Sequence, residues 1–247
     1  MKEIVVLLTS CVNPTKMINT TLSDPNIRIG QYINALMWYL ENTPYDIYYV
    51  DNSNVDIKQY LDEITLEKYH NRLTTYHFKG NEYFEKGKGA GELEIIEYFI
   101  KHSSISKQTL VVKISGRIII RNLQTIIKCS NNKMQICIHN IKMKRQRLIN
   151  SRLIIAPVEY YEKITSKINN INETAHVYFE TICFNEFLNW IKMGRPAKIA
   201  LFPLNVIGVS GTTGKNLVSP SIKTKISIYV YGIINNISIR YFKRIII

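Results

Sequence analysis

The run Glu3-Ile4-Val5-Val6-Leu7-Leu8 constrains this chain more than any other stretch. Five consecutive apolar residues with no polar alternation predict a strand, Glu3 to Leu8, buried on both faces. Such a strand needs a sheet with helices packed over each side. It closes in the polar pair Thr9-Ser10, after which Asp24-Pro25 opens a helix-period segment with apolar Ile29, Ile33, Leu36, Met37 and Leu40, stopped by Asn42-Thr43-Pro44. A second strand, Asp46 to Val50, a short helix, Val55 to Ile64, and a third strand, Thr74 to Phe78, continue the alternation. Further on come a glycine-rich loop leading into a helix from Gly91 to His102, a strand Leu110 to Ile114, and a helix from Asn122 to Lys128. Two more strands, MQICIH and RLIIAPV, flank the basic connector KMKRQR, and a long helical region runs from Glu173 to Met193. Strands alternating with helices predict an α/β fold with a mixed, mainly parallel central sheet and helices on both faces.

With 46% hydrophobic residues in 247, there is enough apolar material for one large core, and we expect one domain over 1–225 with a basic apolar segment at 226–247. The apolar runs fall short of the ~18 residues that span a bilayer, and the N-terminus lacks the pattern of a secretory signal. Both point to the cytosol. Cys11, Cys129, Cys137 and Cys183 form no C-x-x-C pair, so neither a zinc ribbon nor a disulfide framework is encoded, and burial is expected for each.

The net charge of +13 is polarised along the chain. From Glu97 to Glu159 no acid interrupts twelve Lys or Arg, and after Glu186 no acid interrupts nine more, leaving a net −8 for the remainder. A lysine-rich, Ile- and Asn-rich composition accounts for part of this excess; the rest implies an anionic partner such as a nucleotide diphosphate, a lipid pyrophosphate, an anionic membrane surface or nucleic acid.

Four stretches carry chemistry. Asp51, Asn52 and Ser53 follow the second strand at its carboxyl end, where open α/β sheets bind ligands; a carboxylate there suits a ribose, and the same residue types make Asx turns and helix N-caps. In Gly87-Lys88-Gly89-Ala90-Gly91-Glu92 the glycine spacing is not that of a dinucleotide fingerprint, but Gly89 with Lys86 and Lys88 ahead of a helix can bring N–H groups and positive charge to a phosphate. The strand ending Lys113-Ile114-Ser115-Gly116-Arg117 delivers a cation, a hydroxyl, an open backbone and a guanidinium suited to bidentate phosphate binding. Finally, Ser210, Gly211, Thr212 and Lys215 lie in a glycine-rich segment, Asn205 to Asn216, that reads as a loop over a ligand or as a tight hairpin. In the long helical region, Glu180 lies one turn from His176 and either can serve as a general base.

In order along the chain, Thr9-Ser10, the strand end Tyr49 to Ser53, the loop at Gly87 to Glu92, the strand Lys113 to Arg117, Tyr178-Phe179-Glu180 and the loop Gly208 to Gly214 make the sequence resemble a bacterial GT-A-type glycosyltransferase of capsule, O-antigen or lipooligosaccharide synthesis. The resemblance implies a GT-A-like, Rossmann-like fold and a nucleotide-sugar donor held by the first two strand ends. It also implies a glycan or polyprenyl-pyrophosphate-linked acceptor, without nucleic acid. The family presents an Asp-x-Asp metal motif to the diphosphate; this chain has none, and Ser115-Gly116-Arg117 stands in its place. No cofactor is expected and no metal ligand is assigned. The expectation is transfer without a metal, Arg117, Lys88 and Lys215 holding the phosphates and Glu180 or His176 deprotonating the acceptor.

In the last segment, Ile226, Val230, Ile233, Ile237 and Tyr241 recur at helical spacing beside Arg240, Lys243 and Arg244. It suits either the inner face of a membrane or a cap on the sheet. Competing with the transferase are a nucleic-acid-binding protein, favoured by the basic stretches and sixteen Tyr, and a GT-A-like protein that has lost catalysis.

Overall fold

The structure, a computed structural model, describes residues 3–14, 21–138, 149–210 and 213–245. In chain order its elements are β1 (Ile4–Ser10), α1 (Pro25–Asn42), β2 (Asp46–Asp51), α2 (Glu63–Tyr69), β3 (Leu73–His77), α3 (Lys88–His102), β4 (Leu110–Ser115), β5 (Ile119–Ile120), α4 (Leu123–Ser130), β6 (Met134–Ile138), β7 (Ile149–Pro157), α5 (Val158–Thr165), α6 (Phe179–Lys192), β8 (Ala197–Ile199), β9 (Val206–Ile207) and α7 (Ile222–Phe242). Seven strands form one sheet in the order β3-β2-β1-β4-β7-β6-β8, while β5 and β9 pair separately.

The unalternating apolar run works as expected. Val5 and Leu7 of β1 join a core built with α3, α5 and α6, whereas Val6 and Leu8 join a second core on the opposite face with α1 and α4. The α/β expectation of a mainly parallel sheet covered on both faces therefore holds. Asp24 caps α1 by accepting from Asn26 N at 2.8 Å, and Pro25 supplies a preset φ where no helical donor is needed. Tyr39 ties α1 to the small sheet: its hydroxyl donates to Ile118 O and accepts from Ile120 N, both at 3.0 Å.

One strand departs from the parallel pattern. β7 runs antiparallel to both β4 and β6, with Leu153 opposite Ile114 and Ala156 opposite Val111. Its amino-terminal end therefore lies beside the carboxyl ends of β1 and β4, and this reversal brings Asn150, Ser151 and Arg152 to the functional edge.

Two boundaries also move. The helical region expected from Glu173 begins only at Phe179, because residues 172–177 form a tight turn closed by the Asn172–Val177 bridge, with His176 at φ 62°. His176 and Glu180 therefore do not share a helix face. The division expected after residue 225 falls inside α7, which packs along β8. Gly232 lets the helix approach closely, since a Cβ there would meet Ala200 O at 3.2 Å. Asn236 continues the sheet ladder at the β8 edge, accepting from Ile199 N at 2.8 Å and donating to Ile199 O at 2.9 Å. No described helix is long and apolar enough to cross a membrane.

Candidate functional site

A cleft of about 930 Å³ opens where β1 and β4 end and β7 begins, bordered by the first turns of α3 and α6 and by Val209 and Ser210. Close backbone approach shapes its floor. Gly116 N donates to Thr9 O at 2.9 Å, and a Cβ on Gly116 would meet that oxygen at 2.7 Å, so only glycine lets the turn after β4 sit against β1.

Of the expected site residues, Thr9, Ser10, Asn52, Lys88, Gly89, Ser115, Gly116, Arg117, Glu180 and Ser210 line the cleft. Several of them spend their polar atoms on the fold. Thr9 donates to Glu92 Oε1 at 2.7 Å, and Ser10 donates to Asp51 Oδ2 at 2.7 Å while accepting from Tyr49 OH at 2.6 Å. Asn52 donates to Asn81 Oδ1 and Glu94 Oε2, both at 3.0 Å, whereas its buried Oδ1 has no donor among the described residues. Gly89 N donates to Glu173 Oε1 at 2.9 Å.

Others stand away from the lining. Asp51 is fully buried and holds two loops together: Oδ2 accepts from Ser10 Oγ and Val12 N, while Oδ1 accepts from Ser53 N, Ser53 Oγ and Val55 N. Its geometry is that of an Asx turn extended across two strands, and Ser53 belongs to the same knot. Lys113 is 1% exposed, ion-paired with Glu92, and donates to Ser151 O at 2.8 Å, so its charge joins α3, β4 and β7 beneath the cleft. Lys86 reaches Asn169 Oδ1 at 2.8 Å. His176 is exposed, its ring against Tyr178 OH at 2.9 Å. Lys215 is exposed in a hairpin in which Ser210 N donates to Lys215 O at 2.9 Å. Gly211 and Thr212 lie outside the described residues.

The lining also contains Arg28, Ser151 and Arg152, which the motifs did not single out. Arg28 of α1 is buried and donates through Nε to the carbonyls of Cys11 and Val12 and through Nη1 to Leu22 O at 2.9 Å. Carbonyl dipoles of Cys11, Val12 and Leu22 thus solvate a cation that has no carboxylate ion pair among the described residues. Arg117 donates to Gln31 Oε1 at 3.0 Å and lies over the Tyr32 ring, 5.9 Å from its centroid. Glu92, Ser151, Arg152, Glu173, Tyr178 and Phe179 complete the wall, and Glu180 Oε1 accepts from Ser151 Oγ at 2.6 Å.

The electrostatics follow from this packing. Burial holds the Lys88 ammonium below the ordinary lysine value, Glu173 opposes that shift, and Arg117 and Arg28 reinforce it. Arg117 is likewise lowered by burial, against the pull of Tyr32 and with the help of Arg28. These three cations therefore lie within each other's field at one end of the cleft. Cys11 lines the same end, but burial, with Asp51 adding to it, pushes its thiol up to about 11, so at neutral pH it is no nucleophile.

At the end of β4 the donor set does not suit a divalent cation. Ser115-Gly116-Arg117 carries no carboxylate there, Glu92 is engaged by Lys113, Glu173 by Gly89 N and Glu180 by Ser151. Among the described residues no three His, Cys, Asp or Glu side chains gather into a metal-holding group.

No protein-family model matches the chain, and no curated protein sequence matches it. Among solved structures, it is similar to a 4-diphosphocytidyl-2C-methyl-D-erythritol synthase (8% identity, TM-score 0.45, covering 93% of this chain and 99% of that one). It is also similar to the galactosyltransferase LgtC in complex with donor and acceptor sugar analogues (8% identity, TM-score 0.44, covering 74% and 69%) and to an active-site mutant of LgtC (7% identity, TM-score 0.48, with the same coverage). With identities this low, what the cleft does has to be read from its own residues.

Proposed function

We propose that the protein is a GT-A-like glycosyltransferase that moves a sugar from a nucleotide-sugar to a glycan or lipid-linked acceptor, without a divalent metal. The convergence of Lys88, Arg117 and Arg28 on one end of the cleft, at the carboxyl edge of the sheet, carries this reading. Three mutually repelling cations there are most favourably balanced by a di- or trianionic group such as a nucleotide diphosphate. Ser115 and the backbone at Gly116 complete that cradle, beside the first turn of α3, which Glu173 caps through Gly89 N.

In the transfer, the acceptor hydroxyl gives its proton to Glu180 as its oxygen bonds to the anomeric carbon of the donor. The bond from that carbon to the diphosphate oxygen breaks, and its electron pair leaves with the diphosphate. Lys88 and Arg117 stabilise the developing charge, the task a bound cation performs elsewhere. Glu180 takes precedence over His176 because it faces the cleft.

A membrane surface belongs to the same proposal. In α7 the buried stripe carries Gly232, Asn235 and Ser238, whereas Ile226, Val230, Ile233, Ile237 and Tyr241 face outward. Lys223, Lys225, Arg240, Lys243 and Arg244 accompany them with no acid anywhere in the helix, a composition matched to anionic lipid headgroups. The enzyme would then work on the cytoplasmic face, where a polyprenyl-linked acceptor is presented.

A thermal-shift screen against UDP, GDP, CMP and their sugar derivatives tests the donor reading, with a rise in Tm expected for one nucleotide family. Turnover with that donor should persist in EDTA; complete loss on chelation, restored by Mn²⁺, would reject the metal-free mechanism. Binding of RNA at physiological salt with no nucleotide response would favour the nucleic-acid alternative instead.

A further inference from the structure

Arg152 lies outside the cationic cradle proposed for the donor. Arg152 is the residue next to Leu153, which pairs with Ile114, so it stands at the edge of the sheet beside Ser115. Its backbone N–H donates to Asn150 Oδ1, but its guanidinium donates to no described residue and forms no ion pair within 4.0 Å among them. Among the described residues Glu180 acts on its charge, and the Glu180 carboxylate accepts from Ser151 Oγ. Arg117 is held on the α1 side, by Gln31 Oε1 and over the Tyr32 ring, whereas Arg152 stands on β7 next to Ser151, the residue that binds Glu180. The guanidinium is half-buried on the cleft wall, and its five N–H donors have no acceptor among the described residues, so a ligand's oxygens can take them.

Anions therefore have two separate places in one cleft. If the donor diphosphate occupies the first, the second lies beside the proposed base, where the acceptor hydroxyl must sit. We propose that Arg152 binds a carboxylate or phosphate carried by the acceptor, so that the enzyme selects acidic acceptors over neutral ones. The assignment to an acceptor rests on the donor reading above; the anion site itself rests on Arg152 alone. The planar fork of the guanidinium matches either oxyanion in a bidentate pair and fixes the distance from the acid group to the hydroxyl that attacks.

The test is calorimetry on the full chain, saturated with whichever of UDP, GDP and CMP stabilises it. Methyl glucuronide presents the carboxylate, glucose 6-phosphate the phosphate, and methyl glucoside neither. At least one acidic probe should bind while the neutral one does not, and Arg152→Gln should weaken that binding by about 10- to 100-fold. Arg152→Lys should restore part of it, and nucleotide affinity should stay unchanged in both variants. Equal binding of acidic and neutral probes, no binding of either acidic probe, or an Arg152→Gln protein that binds them like the wild type would overturn the proposal. Loss of nucleotide binding in Arg152→Gln would overturn it too, by placing Arg152 in the donor site. Acidic-probe binding that depends on Arg152 in a protein that binds no nucleotide would reject the donor reading, and with it the assignment to an acceptor.

Discussion

At the scale of single residues, Lys88 and Asp51 show two charged side chains at strand and helix ends put to opposite uses. Lys88 has a charge that burial disfavours, and a bound phosphate would favour it. Because the folded value lies below the ordinary lysine value, nucleotide affinity should fall with rising pH as the ammonium deprotonates, and should do so earlier than an unperturbed lysine would dictate. Lys88→Arg keeps its charge throughout and should flatten that fall, which titration calorimetry across the range would show. Asp51 instead gathers five donors from two loops. Asp51→Ala strands buried N–H and O–H groups and should lower stability by about 3 kcal/mol or more in urea unfolding, with nucleotide binding lost alongside. From sequence, a strand-end Asp followed by Asn and Ser fits a ribose ligand and an Asx turn equally; only the positions of Val12 and Val55 decide, and those depend on chain folding far from the motif.

At the scale of elements, local pattern was enough wherever burial is two-sided. β1, β2 and β4 were readable from unbroken apolar runs, and α1 from its cap and period. Strand direction was not readable, because an apolar run such as Leu153 to Ala156 buries equally well either way up. Arg152 is hidden from the sequence for that reason: in a parallel strand it would sit at the far edge from Arg117. The start of α6 was also hidden, since Glu173 to Val177 has a helix-compatible composition but Asn172 Oδ1 captures Ala175 N at 3.0 Å and holds a turn. In α7, periodicity located the apolar stripe but could not say which face the sheet would take. The stripe is outermost, so the double variant Ile226→Glu/Ile237→Glu should fold normally and lose at least about tenfold in binding to vesicles containing anionic lipid, measured by flotation. Unchanged flotation would remove the membrane from the proposal.

For the whole molecule, the cleft is assembled from the start, middle and later part of the chain: β1, α3, β4, β7 and α6 each contribute a wall. The polarised charge seen along the sequence foreshadows an anionic ligand without locating it: among the described residues lining the cleft, Arg117 and Arg152 come from the acid-free stretches. Arg28 and Lys88 come from the net-acidic remainder, where composition conceals them. Lys113, though central to the basic strand end, is neutralised by Glu92 and holds the walls together instead.

The side-chain amide of Asn236, matched to both backbone groups of Ile199, has a practical corollary. It acts as a one-residue surrogate strand, closing a border that would otherwise invite a neighbour's chain to add on. Shortening the protein ahead of Ile222 would strip that seal and leave Ile199 open to self-association. Lost lipid affinity in a truncated version would then be confounded by clumping, whereas substitutions on the outer stripe of the intact helix keep the two effects apart.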